Sequence, residues 1–232
     1  MAAVNPSNLS HFLELILGTV AGLLPVINPL AATPTFLAIT EGDSQGRRLA
    51  QLRRACLYMV AILIGALVFG TFIMNVFGIS IPGLRIAGGM LVAGIGWRML
   101  LGSADGAQHS EHATPAARAK SDVSFSPLAM PMLSGPGSIA VTVGFTSLAT
   151  AWFDYAAIIL GILIVAVMSY ATLRLSTRIV VVIGSNGMNA LTKLMGFLLV
   201  CVGIQFVVNG IIGVAAEPTV IRAIRDALQA RP

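Results

Sequence analysis

The chain has 232 residues, of which 56% are hydrophobic and only 10% charged, against roughly 25% charged in a soluble domain. With a mean hydropathy of +0.90, it reads as one polytopic, all-α membrane domain. The net charge of +5 is no nucleic-acid signal, because the basic residues fall in loops between apolar stretches. Cys56 and Cys201 sit in different apolar runs and read as small buried hydrophobes rather than a disulfide or metal pair. No residue before Leu9 is basic and Glu14 interrupts the first apolar run, so no cleavable leader is expected.

Six spans are expected in chain order. The first runs from about Leu9 to Thr40, which as a straight helix would extend roughly 48 Å at 1.5 Å per residue. That exceeds a hydrocarbon core of about 30 Å, so the span should break. The string LLPVINPLAATPTF (Leu23–Phe36) says where: Pro29 and Pro34 follow Asn28, with Thr33 and Thr35 beside them. Each proline removes a backbone donor and clashes with the preceding turn, which hydrocarbon tolerates only where protein or a water-filled cavity covers the freed groups. A polar hinge from Glu41 to Arg54 follows, then a second span over about 55–77 and a third over about 84–101. The loop 102–126 marks the boundary between halves, and its His-Ser-Glu-His spacing is too weak to indicate a metal site. The fourth span, about 127–151, opens on PLAMPMLSGPGS (Pro127–Ser138), where Pro131 and Pro136 repeat the five-residue proline spacing. The fifth covers about 156–175 and the sixth about 191–215. A tail over 216–232 closes the chain, and Val220–Leu228 could lie as an amphipathic surface helix.

Ten of the fourteen basic residues flank the ends of spans one, three and five. The positive-inside rule therefore puts those ends in the cytoplasm and both termini in the periplasm. Three spans per half would invert the second half relative to the first. Repeat 1 covers about 9–101 and repeat 2 about 127–215. Aligning LRIAGGMLVAGIG from Leu84 with LTKLMGFLLVCVG from Leu191 sets Gly89 opposite Gly196 and Gly96 opposite Gly203.

A half-helix that begins inside the membrane offers unpaired N–H groups to a carboxylate, and one that ends there offers carbonyls to a cation. Ser134, Gly135, Pro136, Gly137 and Ser138 make the better anion end, with Pro136 suited to a first helical turn. Asn28, Pro29, Thr33 and Pro34 form the other break without net charge. Together they suit a small zwitterion such as a neutral amino acid. Gln205 and Asn209, four apart, are candidate cavity-lining residues, as is Glu14; the competing readings are helix–helix hydrogen bonding and an interfacial carboxylate. No hydrolase constellation, phosphate-binding glycine loop or filter motif is present, so neither an enzyme nor a channel is expected, and no cofactor or metal. A secondary transporter with Na⁺ or proton coupling needs none of these. The alternatives are a structural or regulatory membrane protein without a transport cycle, or a carrier of a drug-like or lipid-linked solute. Partners beyond membrane lipids and the solute, and the oligomeric state, are left open.

FGISIPGLRIAGG (Phe77–Gly89), PLAMP with SGPGSIA (Pro127–Ala140) and LMGFLLVCVGIQFVVNGI (Leu194–Ile211) resemble the MarC family of bacterial inner-membrane proteins. LLPVINPL fits the same family's first span, while Pro34 departs from its pattern. The resemblance covers all but the 102–126 loop and the tail. It implies six spans in the inner membrane, and relatives grouped with the family are regarded as neutral amino-acid transporters, some of them exporters. It carries over no set of binding residues.

Overall fold

The computed structural model describes residues 6–101, 122–149, 151–217 and 222. Among them every regular element is helical. In order these are α1 (Pro6–Ile27), α2 (Ala32–Ile39), α3 (Gln45–Phe77), α4 (Ile81–Leu101), a wide-turned helix (Ser124–Leu133), α5 (Pro136–Phe145), a single 3₁₀ turn (Thr146–Leu148), α6 (Trp152–Arg174) and α7 (Ser176–Ala215). Five helices are long and apolar enough to cross a membrane. The wide helix and α5, bent by 61° at their junction, make a sixth crossing if counted as one span.

Local chemistry sets the boundaries. Ser44 caps α3 by accepting the Arg47 amide at 3.3 Å, the role short hydroxyl side chains play at helix starts. Gly78, at φ 65°, closes the other end, and Ile79 N–H donates back to the Met74 carbonyl at 2.8 Å. This is the left-handed stop that glycine permits. The expected polar hinge over 41–54 is thus mostly helix, since α3 begins at Gln45. Arg48 donates to the Thr40 carbonyl at 3.1 Å, placing a cation at the end of α2, where the dipole favours it. The sixth span also begins early: α7 starts at Ser176, and Gly184 (φ 68°) interrupts it before the apolar stretch. The segment Val220–Leu228 and the His-Ser-Glu-His stretch lie outside the described residues, apart from helical Arg222.

Three packings hold the bundle. α1 and α6 run parallel: the Phe12 and Phe153 rings stack at 5.3 Å, His11 meets Asp154 at 3.4 Å, and Thr19 lies against Gly161. α4 and α7 run antiparallel and approach closest at glycines. A Cβ on Gly89 would stand 2.5 Å from the Gly203 carbonyl oxygen, and one on Gly96 2.5 Å from that of Gly196. With lipid tails as apolar as the side chains, such backbone approach is what drives helix association in a bilayer. α5 fills the middle, antiparallel to α1, with Gly22 against the Phe145 ring. Leu23, Met59, Leu63, Leu67, Leu128 and Ile158 are buried in the common core, while Phe69, Phe72, Val76 and Phe197 face outward. Apolar residues on both faces are what a lipid-embedded bundle requires. Cys56 is buried as expected; Cys201 is exposed on the outer face of α7, because the glycine side of that helix faces α4.

Candidate functional site

The first interruption spans residues 28–31, between α1 and α2. Asn28 adopts φ 45°, the left-handed region that asparagine tolerates better than most residues. Its amide closes α1 on the Leu24 carbonyl at 2.9 Å, and its Oδ1 accepts the Ala31 amide at 3.3 Å. Pro29 follows and has no amide, so the carbonyl of Pro25, four residues back, loses its helical donor. Thr33 donates its hydroxyl proton to the Pro29 carbonyl at 3.0 Å. Asn28, Pro29 and Thr33 are buried. Pro34 does not extend the break to a second proline as the spacing suggested. It lies in the first turn of α2 and is exposed, at a position where a missing N–H leaves nothing unpaired.

The second interruption has more parts. Ser126 (φ −125°, ψ 128°) and Met130 (φ −126°, ψ 124°) are extended inside the wide helix, the conformation proline imposes on its predecessor, here through Pro127 and Pro131. The span is thus disturbed upstream of the glycines as well as at them. Ser134 gives both its amide (2.8 Å) and its hydroxyl (2.7 Å) to the Ala129 carbonyl. Gly135 caps α5, Pro136 opens its first turn, and the Ser138 hydroxyl donates to the Gly135 carbonyl at 2.9 Å. The first-turn amides of Gly137 and Ser138 have no acceptor within the helix, by helix geometry.

The two interruptions meet. A Cβ on Gly137 would stand 3.3 Å from Val26, two residues before Asn28, and 3.4 Å from Val92 on α4. Asn28 Nδ2 lies 4.0 Å from Met99 Sδ, two helical turns along α4 from Val92. One face of α4 therefore covers both breaks, close to the level of its crossing with α7. The end of α1 and the start of α5 lie side by side there, in a region where Asn28, Thr33, Ser134 and Ser138 are buried and uncharged. Apart from that donation by Asn28 to Met99 on α4, the polar side chains bond within their own breaks, and the contact between breaks is apolar.

Three sequence candidates lie elsewhere. Gln205 and Asn209 are exposed on α7 and hydrogen-bond to each other at 2.9 Å. Glu14 is exposed on α1. Two features escaped the sequence reading. Ser134, Ser138, Thr142 and Thr146 repeat every four residues as a buried hydroxyl stripe along α5, a spacing that was legible. Asp154, 1% exposed, accepts the Ala151 amide at 2.9 Å and meets His11; an acid in a first helical turn is its sequence signal. Beside the second break, Leu84, Leu91, Met130, Pro131, Pro136 and Ile139 line an apolar groove of about 470 Å³. Among the described residues no three His, Cys, Asp or Glu side chains gather as a metal site.

A helical bundle with five or six apolar crossings and interrupted helices inside it defines a multi-pass integral membrane protein. Comparison with known proteins gives the family: residues 13–215 match the MarC family of integral membrane proteins, and the chain belongs to it. It is similar to the UPF0056 inner membrane protein MarC of Citrobacter koseri (38% identical over 205 residues). It is similar also to the proteins of that name in Salmonella typhimurium (39%) and Escherichia coli (40%). Each match covers 82% of this chain and 90% of the relative. These names and the apolar helices identify a multi-pass protein of the inner membrane. No solved structure matches.

Proposed function

We propose that the protein is a secondary transporter of small neutral amino acids or similar zwitterions, working by alternating access. One observation carries this reading: a helix that ends and a helix that begins meet inside the bundle, lined by buried uncharged hydroxyl and amide groups. Carbonyls at the close of α1 suit an ammonium group, and amides at the start of α5 suit a carboxylate. The absence of net charge there favours a neutral amino acid over a cationic one. In this reading Asn28, Thr33, Ser134, Gly135 and Ser138 hold the solute, and no chemistry is performed on it.

The packing supports two inverted repeats. Gly89 corresponds in sequence to Gly196 and Gly96 to Gly203, whereas in space Gly89 meets Gly203 and Gly96 meets Gly196. Exchanging the halves therefore carries one contact onto the other, as a two-fold axis in the membrane plane would. The same exchange carries α1 on α6 onto the wide helix on α3, and α4 on α5 onto α7 on α2; all four pairs are in contact. A positive-φ glycine precedes the third span of each half, Gly78 and Gly184. Rocking of one repeat against the other supplies the alternation, and the basic-residue bias puts both termini in the periplasm.

Flux measured in proteoliposomes with alanine, serine and lysine tests the proposal. Uptake of the two neutral amino acids but not lysine is expected; equal or absent flux of all three overturns it. The apolar groove favours a second reading, a lipid-linked or drug-like solute entering from the bilayer. Under that reading amphipathic compounds move and alanine does not.

A further inference from the structure

Ser169 is fully buried on α6, and its hydroxyl makes no hydrogen bond. The hydroxyls of Thr19, Thr33, Ser134, Ser138 and Thr142, all buried, each donate to a carbonyl nearby in the chain. A helical serine ordinarily has the same option toward the carbonyl four residues back. Leaving a buried hydroxyl unpaired is unfavourable, and in native proteins such a group calls for a reason.

Its position suggests one. α1 and α6 run parallel, with Thr19 against Gly161. Two helical turns further on, α1 reaches Ile27 and α6 reaches Ser169, so Ser169 stands at the level where α1 breaks. It continues the buried seam of Ile162, Val165 and Ala166, and α6 packs on α1, α2 and α3. The break at that level is rich in acceptors. Pro29 withholds the amide due to the Pro25 carbonyl, and the Thr33 oxygen has already given its proton to the Pro29 carbonyl. Neutral oxygens at the end of a broken helix are the surroundings that take a monovalent cation in transporters.

We propose that Ser169 is a binding residue of the first interruption, its hydroxyl oxygen contacting a monovalent cation, either the ammonium group of the amino acid or Na⁺. This rests on the transporter reading and adds to it which end of the solute the first break receives.

The test is thermal unfolding of the full-length protein in detergent, wild type against Ser169→Ala. Three conditions are compared: choline chloride, choline chloride with L-alanine, and NaCl without amino acid. Removing an unpaired buried hydroxyl should leave the ligand-free variant melting at the same temperature or higher. Its response to ligand should nonetheless be lost, with at least tenfold more ligand needed for half the wild-type shift. Loss of the L-alanine response identifies the ammonium group as the cation, and loss of the NaCl response identifies Na⁺. A variant that responds to both as wild type does overturns the role of Ser169 and leaves the transporter reading standing. A wild type that responds to neither overturns both.

Discussion

The α4–α7 crossing and the paired interruptions use the same kinds of residue for opposite ends. At the crossing, glycines within helical stretches of α4 and α7 let two backbones touch. At the interruptions, glycine and proline stop helices, and main-chain groups are set free inside the bundle. The first arrangement brings the two halves of the chain together backbone to backbone; the second leaves hydrogen-bonding capacity with no intrahelical use.

The contrast can be broken first at the crossing. A Cβ on Gly203 would press on the Ala93 nitrogen and lie 2.5 Å from the Gly89 oxygen, both backbone atoms that cannot swing aside. Gly203→Leu should therefore lose about 3 kcal/mol or more, at the upper end of overpacking effects, or fail to yield folded protein. Thermal unfolding and size-exclusion profiles in detergent read the effect. Gly94, where an added Cβ would meet nothing within 4 Å, is the control at which alanine should be tolerated.

At Asn28 the expected effect is intermediate and separable. Alanine in the left-handed region is strained by about 1–2 kcal/mol, whereas Asn28→Gly keeps the backbone and removes only the side chain. Unfolding midpoints should fall for alanine and hold for glycine, while flux falls at least tenfold in both. Equal flux in the glycine variant and wild type would remove Asn28 from the site.

The two prolines of the first break sharpen the comparison further. Pro29→Ala restores a donor to the Pro25 carbonyl, and the variant should be as stable as wild type or more so while transport is lost. Pro34→Ala touches an exposed first-turn position and should stay within about 0.5 kcal/mol of wild type, with flux unchanged. Paired unfolding and flux measurements distinguish a break that functions from one that only bends.

The smallest effect belongs to the surface. The Ser124 hydroxyl and amide, and then Arg54 at 2.7 Å, hold the Asp122 carboxyl below its ordinary range. A carboxyl lowered on folding stabilises the folded state above its unfolded pKa, and that contribution disappears as the pH falls through the folded value. Asp122→Asn should therefore flatten the acid limb of the stability profile below about pH 4. It should leave neutral-pH flux alone, as an exposed ion pair contributes little.

Much of this was legible in order along the chain. Hydrophobic runs of helix length located the crossings, and Asn28–Pro29 with Ser134–Gly137 located the interruptions, because proline and glycine act on the backbone whatever surrounds them. Pro34 misled for the same reason: a proline is disruptive or harmless according to its turn of helix, and spacing does not say which turn it occupies. Gln205, Asn209 and Glu14 were legible as polar residues in apolar stretches, yet the direction each faces depends on the rotation of its helix about its own axis. That rotation is set by partners; on α7 the glycines turn toward α4 and leave Gln205 and Asn209 outside.

By itself, then, the sequence determined a membrane bundle of about six crossings, the family, and the two places where helices stop, since bilayer thickness and backbone chemistry constrain these residue by residue. Only the tertiary structure decided that Val26 meets Gly137, that one face of α4 covers both stops, and that Ser169 is buried without a partner. Such facts belong to pairs of residues far apart in the chain, and they are fixed by the packing of whole helices rather than by any local pattern.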